Sequence, residues 1–290
     1  MSDQVMDTEP APLSLLEKAA HVLGAFEGPE PRLSLTEVVR RSGIPRSSAH
    51  RILDQLVRLR WLDREGRDYR MGMRMLELGA LASHHNRLRR AALPLLHALH
   101  EQTGQLVHLS VLDGAEVVCL ERIGGSEATT VPSRVGGRMP AYSTAAGKAI
   151  LAFGSPDGVE HVLAQGLRPR TARTLVRPYA LRAELAATRE RGIAFDREES
   201  FRGVSCAAAP LRGSGRAIAA VSVSTCRGGE RELARLAPAV AACARAVWRE
   251  LYGAGRAARR PSAPPRDPGP AVPARAMDNM LGWLRFSEWM

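Results

Sequence analysis

Apolar residues recur at helical spacing through the first quarter of the chain and then give way to β-period runs, and that change of period divides the sequence. From Ser14 to Phe26, Leu15, Leu16, Ala19, Val22, Leu23 and Phe26 fall on one helical face, with Ser14 at the cap and Glu17 at the capping-box position. Ser34 can cap a second, short helix through Leu35, Val38 and Val39, which Gly43 ends by supplying a positive φ. After Ile44 and Pro45 a third helix buries Ile52, Leu53, Leu56, Val57 and Leu59. Two helices joined by a glycine turn predict a helix-turn-helix. Trp61-Leu62, a polar turn over Asp63–Asp68 with Gly66, and Tyr69-Arg70-Met71 predict a β-hairpin behind it. Three helices and a basic hairpin make a winged unit over residues 13–72.

A linker helix is expected over residues 73–88, where Met75, Leu76, Leu78, Leu81 and Ala82 form a stripe that can pack on its own domain or on a second copy. Residues 89–252 read as a second domain. A helix over Leu88–Gln102 is expected to break or kink near Pro94. Leu106–Leu112 and Glu116–Ile123 are β-rich runs joined through Asp113-Gly114, and Thr129–Val131 reads as a further strand. Val135–Pro140 reads as a loop, and Ser143 or Thr144 caps a small-residue helix, AAGKAILAF. Helices follow behind Ser155-Pro156 and over Leu181–Arg191. Ile193–Asp196, Gly203–Pro210 and Ala217–Thr225 are strands, the last two nearly all apolar and therefore central, and Glu230–Leu251 is a long amphipathic helix. The second unit is thus an α/β domain with helices at both ends of a mainly antiparallel sheet, and with the winged unit it makes the chain α+β.

Charge sharpens this division. The chain has 290 residues and a formal net charge of +11. From Glu30 to Arg74, eleven arginines stand against six acids, and from Gly253 to Ala276 five arginines stand against one aspartate. The basic excess therefore sits in the winged unit and in a tail, which points to a polyanion partner for the first. Residues 1–12 and 253–276 have the polar, proline-bearing composition of disordered segments, whereas Met280, Leu281, Trp283, Leu284, Phe286 and Trp289 give residues 277–290 an amphipathic pattern. Four scattered cysteines without C-x-x-C spacing suit a reduced, cytoplasmic protein without a structural zinc site, and no apolar run is long enough to span a bilayer.

The chemistry available to the winged unit is that of DNA recognition. In a helix-turn-helix the second helix places its first turns in the major groove. Here those turns carry Arg46, Ser47, Ser48, His50 and Arg51; Ser34 and Thr36 at the preceding helix start, and Arg64, Arg67 and Arg70 on the wing, supply further contacts to phosphate or the minor groove. A metabolite-binding module whose winged unit contacts protein is the alternative. In the second domain, free backbone N–H groups around Tyr142–Gly147 favour a carboxylate, small side chains at Ala145 and Ala146 permit close approach, and Ser222 and Ser224 alternate onto one face of their strand. Catalytic motifs fail: YSTAAGKA lacks the first glycine and the Ser/Thr of a phosphate loop, there is no G-x-S-x-G, and Cys206 has no histidine near it in sequence. Neither an enzyme, a metal site built from His84, His85, His97, His100 and His108, nor a cofactor is expected.

Taken in order, SLLEKAAHVLGAF, LSLTEVVRRSGIPRSSAHRILDQLVRLRWL, YRMGMRMLELG, HLSVLDGAEVVCLERI, VGGRMPAYSTAAGKAILA, RERGIAFDREESFRGVSCAAAPL and AIAAVSVS resemble the isocitrate-lyase-regulator (IclR) family of bacterial transcription factors over about Ser14–Leu251. The resemblance implies a winged helix-turn-helix joined by a linker helix to a GAF-like effector-binding domain. It further implies a homodimer or dimer of dimers on a double-stranded DNA operator, acting as repressor of a metabolic operon. It implies a pocket for an organic acid or aromatic metabolite at Ala128, Val131, Met139, Ala145, Ala146, Asp196, Val204, Cys206, Ser222 and Ser224.

Overall fold

Local capping and burial build the first domain. In the computed structural model, which describes residues 13–28, 30–124, 131–226 and 229–253, α1 (Leu15–Gly24) opens on a complete Ser14–Glu17 capping box and α2 (Leu35–Ser42) on a complete Ser34–Glu37 box. Gly43 ends α2 at φ 69°, in the left-handed region that an L side chain rarely adopts. α3 (Arg46–Arg58) buries Ala49, Ile52, Leu53 and Leu56 against Val22, Leu33 and Val38, with Leu62 and Tyr69 of the wing closing the core. Leu15 and Leu16, expected in this core, instead face solvent at 61% and 83% exposure: α1 crosses α2 and α3 through Val22 and its neighbours, one to two turns farther on.

The wing consists of β2 (Leu62–Glu65) and β3 (Asp68–Met71), longer than expected, with Gly66-Arg67 as the turn. A two-residue strand, β1 (Leu33–Ser34), joins it in the order β1-β3-β2; so short a segment carries no period to read. α4 (Met73–His85) has no buried residue. It is followed by α5 (Arg87–Thr103), which runs through Pro94 as one helix rather than breaking there. The apolar face on either side, Ala92, Leu96 and Leu99, is buried together and holds the helix across the missing backbone bond.

The second domain is a six-stranded sheet in which every adjacent pair is antiparallel. Its strands are β4 (Leu106–Asp113), β5 (Glu116–Ile123), β6 (Arg138–Pro140), β7 (Ala194–Arg197), β8 (Ser205–Leu211) and β9 (Ala219–Thr225), in the order β6-β5-β4-β9-β8-β7. β6 corrects the loop expected at Val135–Pro140: three residues pair with Glu116–Val118 and extend the edge. Val131 lies in a bend; Thr129, Thr130 and Ala128, with the segments 1–12, 254–276 and 277–290, lie outside the described residues. One face of the sheet, through Val107, Leu109, Val221 and Val223, packs on α5 and on α9 (Gly229–Tyr252). The other receives α6 (Ala145–Ala152), α7 (Pro156–Ala164) and α8 (Pro178–Arg191).

α6 is buried along its whole length and sits unusually close to the 3₁₀ turn Ala141–Ser143. A Cβ on Gly147 would lie 2.1 Å from the Ala141 carbonyl oxygen, so only glycine permits this approach. Within α6, Lys148 is 0% exposed and its ammonium donates to both carboxylate oxygens of Glu199, at 2.6 and 2.7 Å. That pairing satisfies a charge which would otherwise be expelled from the interior. It also commits the lysine inward, away from any phosphate.

Candidate functional site

Two surfaces carry unspent polar chemistry. The first is the exposed side of α3. The side chains of Ser47 and Arg51 are exposed and make no hydrogen bond or ion pair among the described residues, so both remain available to an external partner. Arg46 donates to Thr36 Oγ1 at 3.2 Å, and His50 Nδ1 lies 3.1 Å from Asp54 one turn on. Ser48 is half-buried between α1 and α3 beside Lys18 and Gln55. Ser34 differs in kind: its hydroxyl and N–H are both engaged with Glu37 in the cap, which makes its local role structural.

The wing arginines also differ from one another. Arg67 stands exposed at the turn without a partner among the described residues. Arg64 donates to the Gly66 carbonyl and lies over the Tyr69 ring, 5.6 Å from its centre. Arg70 is held by Asp63 and Glu65, at 3.3 and 2.9 Å. These ion pairs partly neutralise the side chain within the hairpin itself.

The second surface is internal. A cavity of about 670 Å³ lies between the sheet and the start of α6. Of the sequence-predicted effector residues, Val131, Met139, Ala145, Ala146, Asp196, Val204, Cys206, Ser222 and Ser224 all border it, although they come from separate stretches of chain; Ala128 is outside the described residues. Thr144 caps α6 by accepting from Gly147 N at 3.0 Å, and Ala145 and Ala146 present the helix start to the cavity. Asp196 is fully buried and accepts from the backbone N–H of Glu199 at 2.6 Å and from the Ser200 hydroxyl. It thus tethers the loop after β7 while bordering the cavity. Burial raises its carboxyl to about 6, against the lowering effect of the Ser200 hydrogen bond and the Lys148 charge. Cys206 lies 3.1 Å from Ser224 Oγ, and burial raises its thiol far above the ordinary range. It is not a thiolate nucleophile.

Sequence reasoning missed His108, Ser110, Cys119, Ser133, Arg134 and Phe201, which also border the cavity. The alternation Leu106, His108, Ser110 along β4 was a visible signal, but only register shows what it faces: His108 pairs with Ser222 on β9. His108 Nε2 lies 2.9 Å from Ser133 Oγ, which also accepts from Arg122 Nε at 3.1 Å. Desolvation first, and the Arg122 charge second, lower the imidazole to about 4, so at neutral pH it carries no charge. At the cavity's rim, Arg134 Nη2 donates to the backbone carbonyl of Glu27 at 2.8 Å, and Glu27 and Gly28 of the winged domain complete the wall. No group of three potential metal ligands occurs among the described residues.

Comparison with known proteins places this geometry. Residues 15–66 match the IclR helix-turn-helix domain, and residues 80–249 match the family described as bacterial transcriptional regulator IclR, C-terminal. The chain is 35% identical over 215 residues to the HTH-type transcriptional regulator XynR of Escherichia coli, covering 72% of this chain and 85% of the relative. It is 31% identical over 218 residues to the transcriptional repressor IclR of Escherichia coli, covering 73% and 77%. Among solved structures, an IclR homolog from Microbacterium hydrocarbonoxydans complexed with 4-hydroxybenzoate aligns with a TM-score of 0.73 at 29% identity, covering 83% of this chain and all of that one. These relatives are regulators of transcription rather than enzymes. With its winged helix-turn-helix and its sheet-bound cavity, the chain belongs to the IclR family of DNA-binding bacterial transcriptional regulators.

Proposed function

We propose that this regulator is a cytoplasmic repressor of a metabolic operon whose hold on its operator is set by a small organic or aromatic acid in the sheet cavity. The observation that carries this reading is the cavity itself: apolar over much of its wall, with convergent polar groups and a helix start, in the same chain as an exposed, unpaired Arg51 on the recognition helix. The relative named as a repressor and the homolog complexed with 4-hydroxybenzoate support it. α3 enters the major groove, Ser47 and Arg51 read base edges with Arg46, Ser48 and His50 beside them, and Thr36 and the wing arginines meet the backbone. The Ser34 cap orients the helix that carries Thr36.

Two copies act together. Leu15, Leu16, Met73, Leu76 and Leu81 are exposed apolar side chains on α1 and α4, and a homodimer, or a dimer of dimers, covers them. An effector shifts the spacing of two reading heads only through unequal affinity for their arrangements. The Arg134–Glu27 contact gives the cavity rim a direct hold on the winged domain. Ala146→Phe, which fills the cavity at the helix start, leaves operator binding within about twofold and abolishes release by the effector. A normal effector response in that variant rules the cavity out. Loss of operator binding in a folded Ala146→Phe protein rules out the separation of the two sites.

A further inference from the structure

The cavity floor contains more polarity than its fold requires. β4 and β9 are central strands, and on one face they are wholly apolar, through Val107, Leu109, Val221 and Val223. The opposite face carries His108, Ser110, Ser222 and Ser224, all buried. Ser224 has Cys206 and His108 has Ser133. Ser110 and Ser222, each only 5% exposed, have no hydrogen-bond partner among the described residues, and both border the cavity. Their hydroxyls therefore open onto the cavity, where a molecule held there can supply the partner that the protein does not.

Register makes them one patch. His108 is the cross-strand neighbour of Ser222, and Ser110 lies two residues farther along β4 on the same face. The β4–β5 register shifts between Leu109 and Ser110, so Ser110 is brought opposite Cys119, another cavity residue. His108 is uncharged at neutral pH and is fixed by Ser133, which Arg122 fixes in turn. Its neutral ring holds one donor and one acceptor. The patch therefore both gives and takes hydrogen bonds without formal charge.

On the assignment of the cavity as an effector site, we infer that His108, Ser110 and Ser222 form a specificity site for an uncharged hydroxyl on an aromatic acid whose carboxylate lies at the start of α6. A hydroxyl matches the patch because it donates and accepts at once. A cationic substituent is opposed by the neighbouring Arg122. Phe201, Val131, Val204 and Met139 supply apolar contact for a ring between the two polar ends.

The test uses the full chain, titrated calorimetrically with 4-hydroxybenzoate and with benzoate, beside operator binding. Wild-type protein binds 4-hydroxybenzoate at least tenfold more tightly than benzoate, because benzoate offers the two serine hydroxyls on the cavity wall no partner. Ser110→Ala and Ser222→Ala each reduce that ratio several-fold by weakening 4-hydroxybenzoate binding, and neither lowers the melting temperature of the ligand-free protein, since each removes a hydroxyl without a protein partner. A ratio near one, or binding of neither acid while operator binding is intact, overturns the inference and leaves the regulator reading standing. A fall of several degrees in either serine variant also overturns it, by exposing a structural role.

Discussion

The recognition helix and the cavity floor both present polar side chains without protein partners, but one does so on the open surface and the other on the wall of a cavity. Arg51 and Ser47 face solvent at no structural cost. Ser110 and Ser222 are 5% exposed and open only onto the cavity, on a sheet whose reverse face is close-packed Val and Leu. An exposed reading surface can thus be altered with little effect on the fold, whereas the cavity exists only through the packing of the helices around it. Stability and recognition are independent at α3, whereas at the cavity they couple through the packing of α6 and not through the serine hydroxyls.

The sharpest breaks of this contrast lie around α6. Lys148→Met strands the Glu199 carboxylate in the interior and is expected to cost ~3–5 kcal/mol in denaturant unfolding. Gly147→Ala forces a methyl against the Ala141 carbonyl and is expected to cost about 3 kcal/mol or more, with effector response lost as the helix start moves. A wild-type melting temperature in either variant would contradict the tight seating of α6. Arg51→Ala, by contrast, should leave unfolding within about 0.5 kcal/mol of wild type.

Acid should sharpen the comparison next. His108 falls from 6.5 unfolded to about 4 folded, so the unfolded chain binds the extra proton between those values and this group's contribution is lost as pH drops from 6.5 through 4. Asp196 rises from 3.8 to about 6, so the folded chain binds the extra proton there and its contribution falls as pH rises from 4 through 6. Each amounts to ~3 kcal/mol at full effect, and the two oppose. Melting temperature between pH 4 and 6 should therefore be nearly flat with respect to this pair. His108→Asn should leave stability declining as pH rises through that window, and Asp196→Asn should leave it declining as pH falls. Unchanged profiles in both variants would remove the buried titrations from the account.

The wing gives the smallest effect. Arg67→Ala should weaken binding to all DNA sequences alike and reduce the salt slope by about one, whereas Arg70→Ala, already paired with Asp63 and Glu65, should reduce it by less. Equal slopes for the two variants would show that the hairpin ion pairs open on DNA.

The two regions also differ in how far the sequence disclosed them. Capping boxes at Ser14 and Ser34, the left-handed Gly43 and the apolar period of α3 are local signals, so the helix-turn-helix was legible from Leu33 to Arg58. What failed there was nonlocal: β1 exists only because Tyr69 and Asp68 pair with it, and Leu15 and Leu16 have the right period but no partner within the described fold. In the second domain the start of α6 and the alternation of Ser222 and Ser224 were readable from neighbours in sequence. His108 was not assigned to the cavity, because its meaning depends on a register with Ser222 across 114 positions of chain. β6 was likewise invisible until β5 provided its hydrogen bonds.

The central claim, that α3 reads DNA sequence, is tested most directly by a gel-shift titration of wild-type and Arg51→Ala protein. The duplex is the DNA immediately upstream of the chain's own gene, with a scrambled duplex of equal length as control, over a salt series. The wild type should retain the upstream duplex selectively, with affinity falling steeply as salt rises, and Arg51→Ala should lose about tenfold or more on that duplex while binding the scrambled one weakly. Equal retention of both duplexes by the wild type, or equal affinity of the two proteins for the upstream duplex, would contradict the assignment.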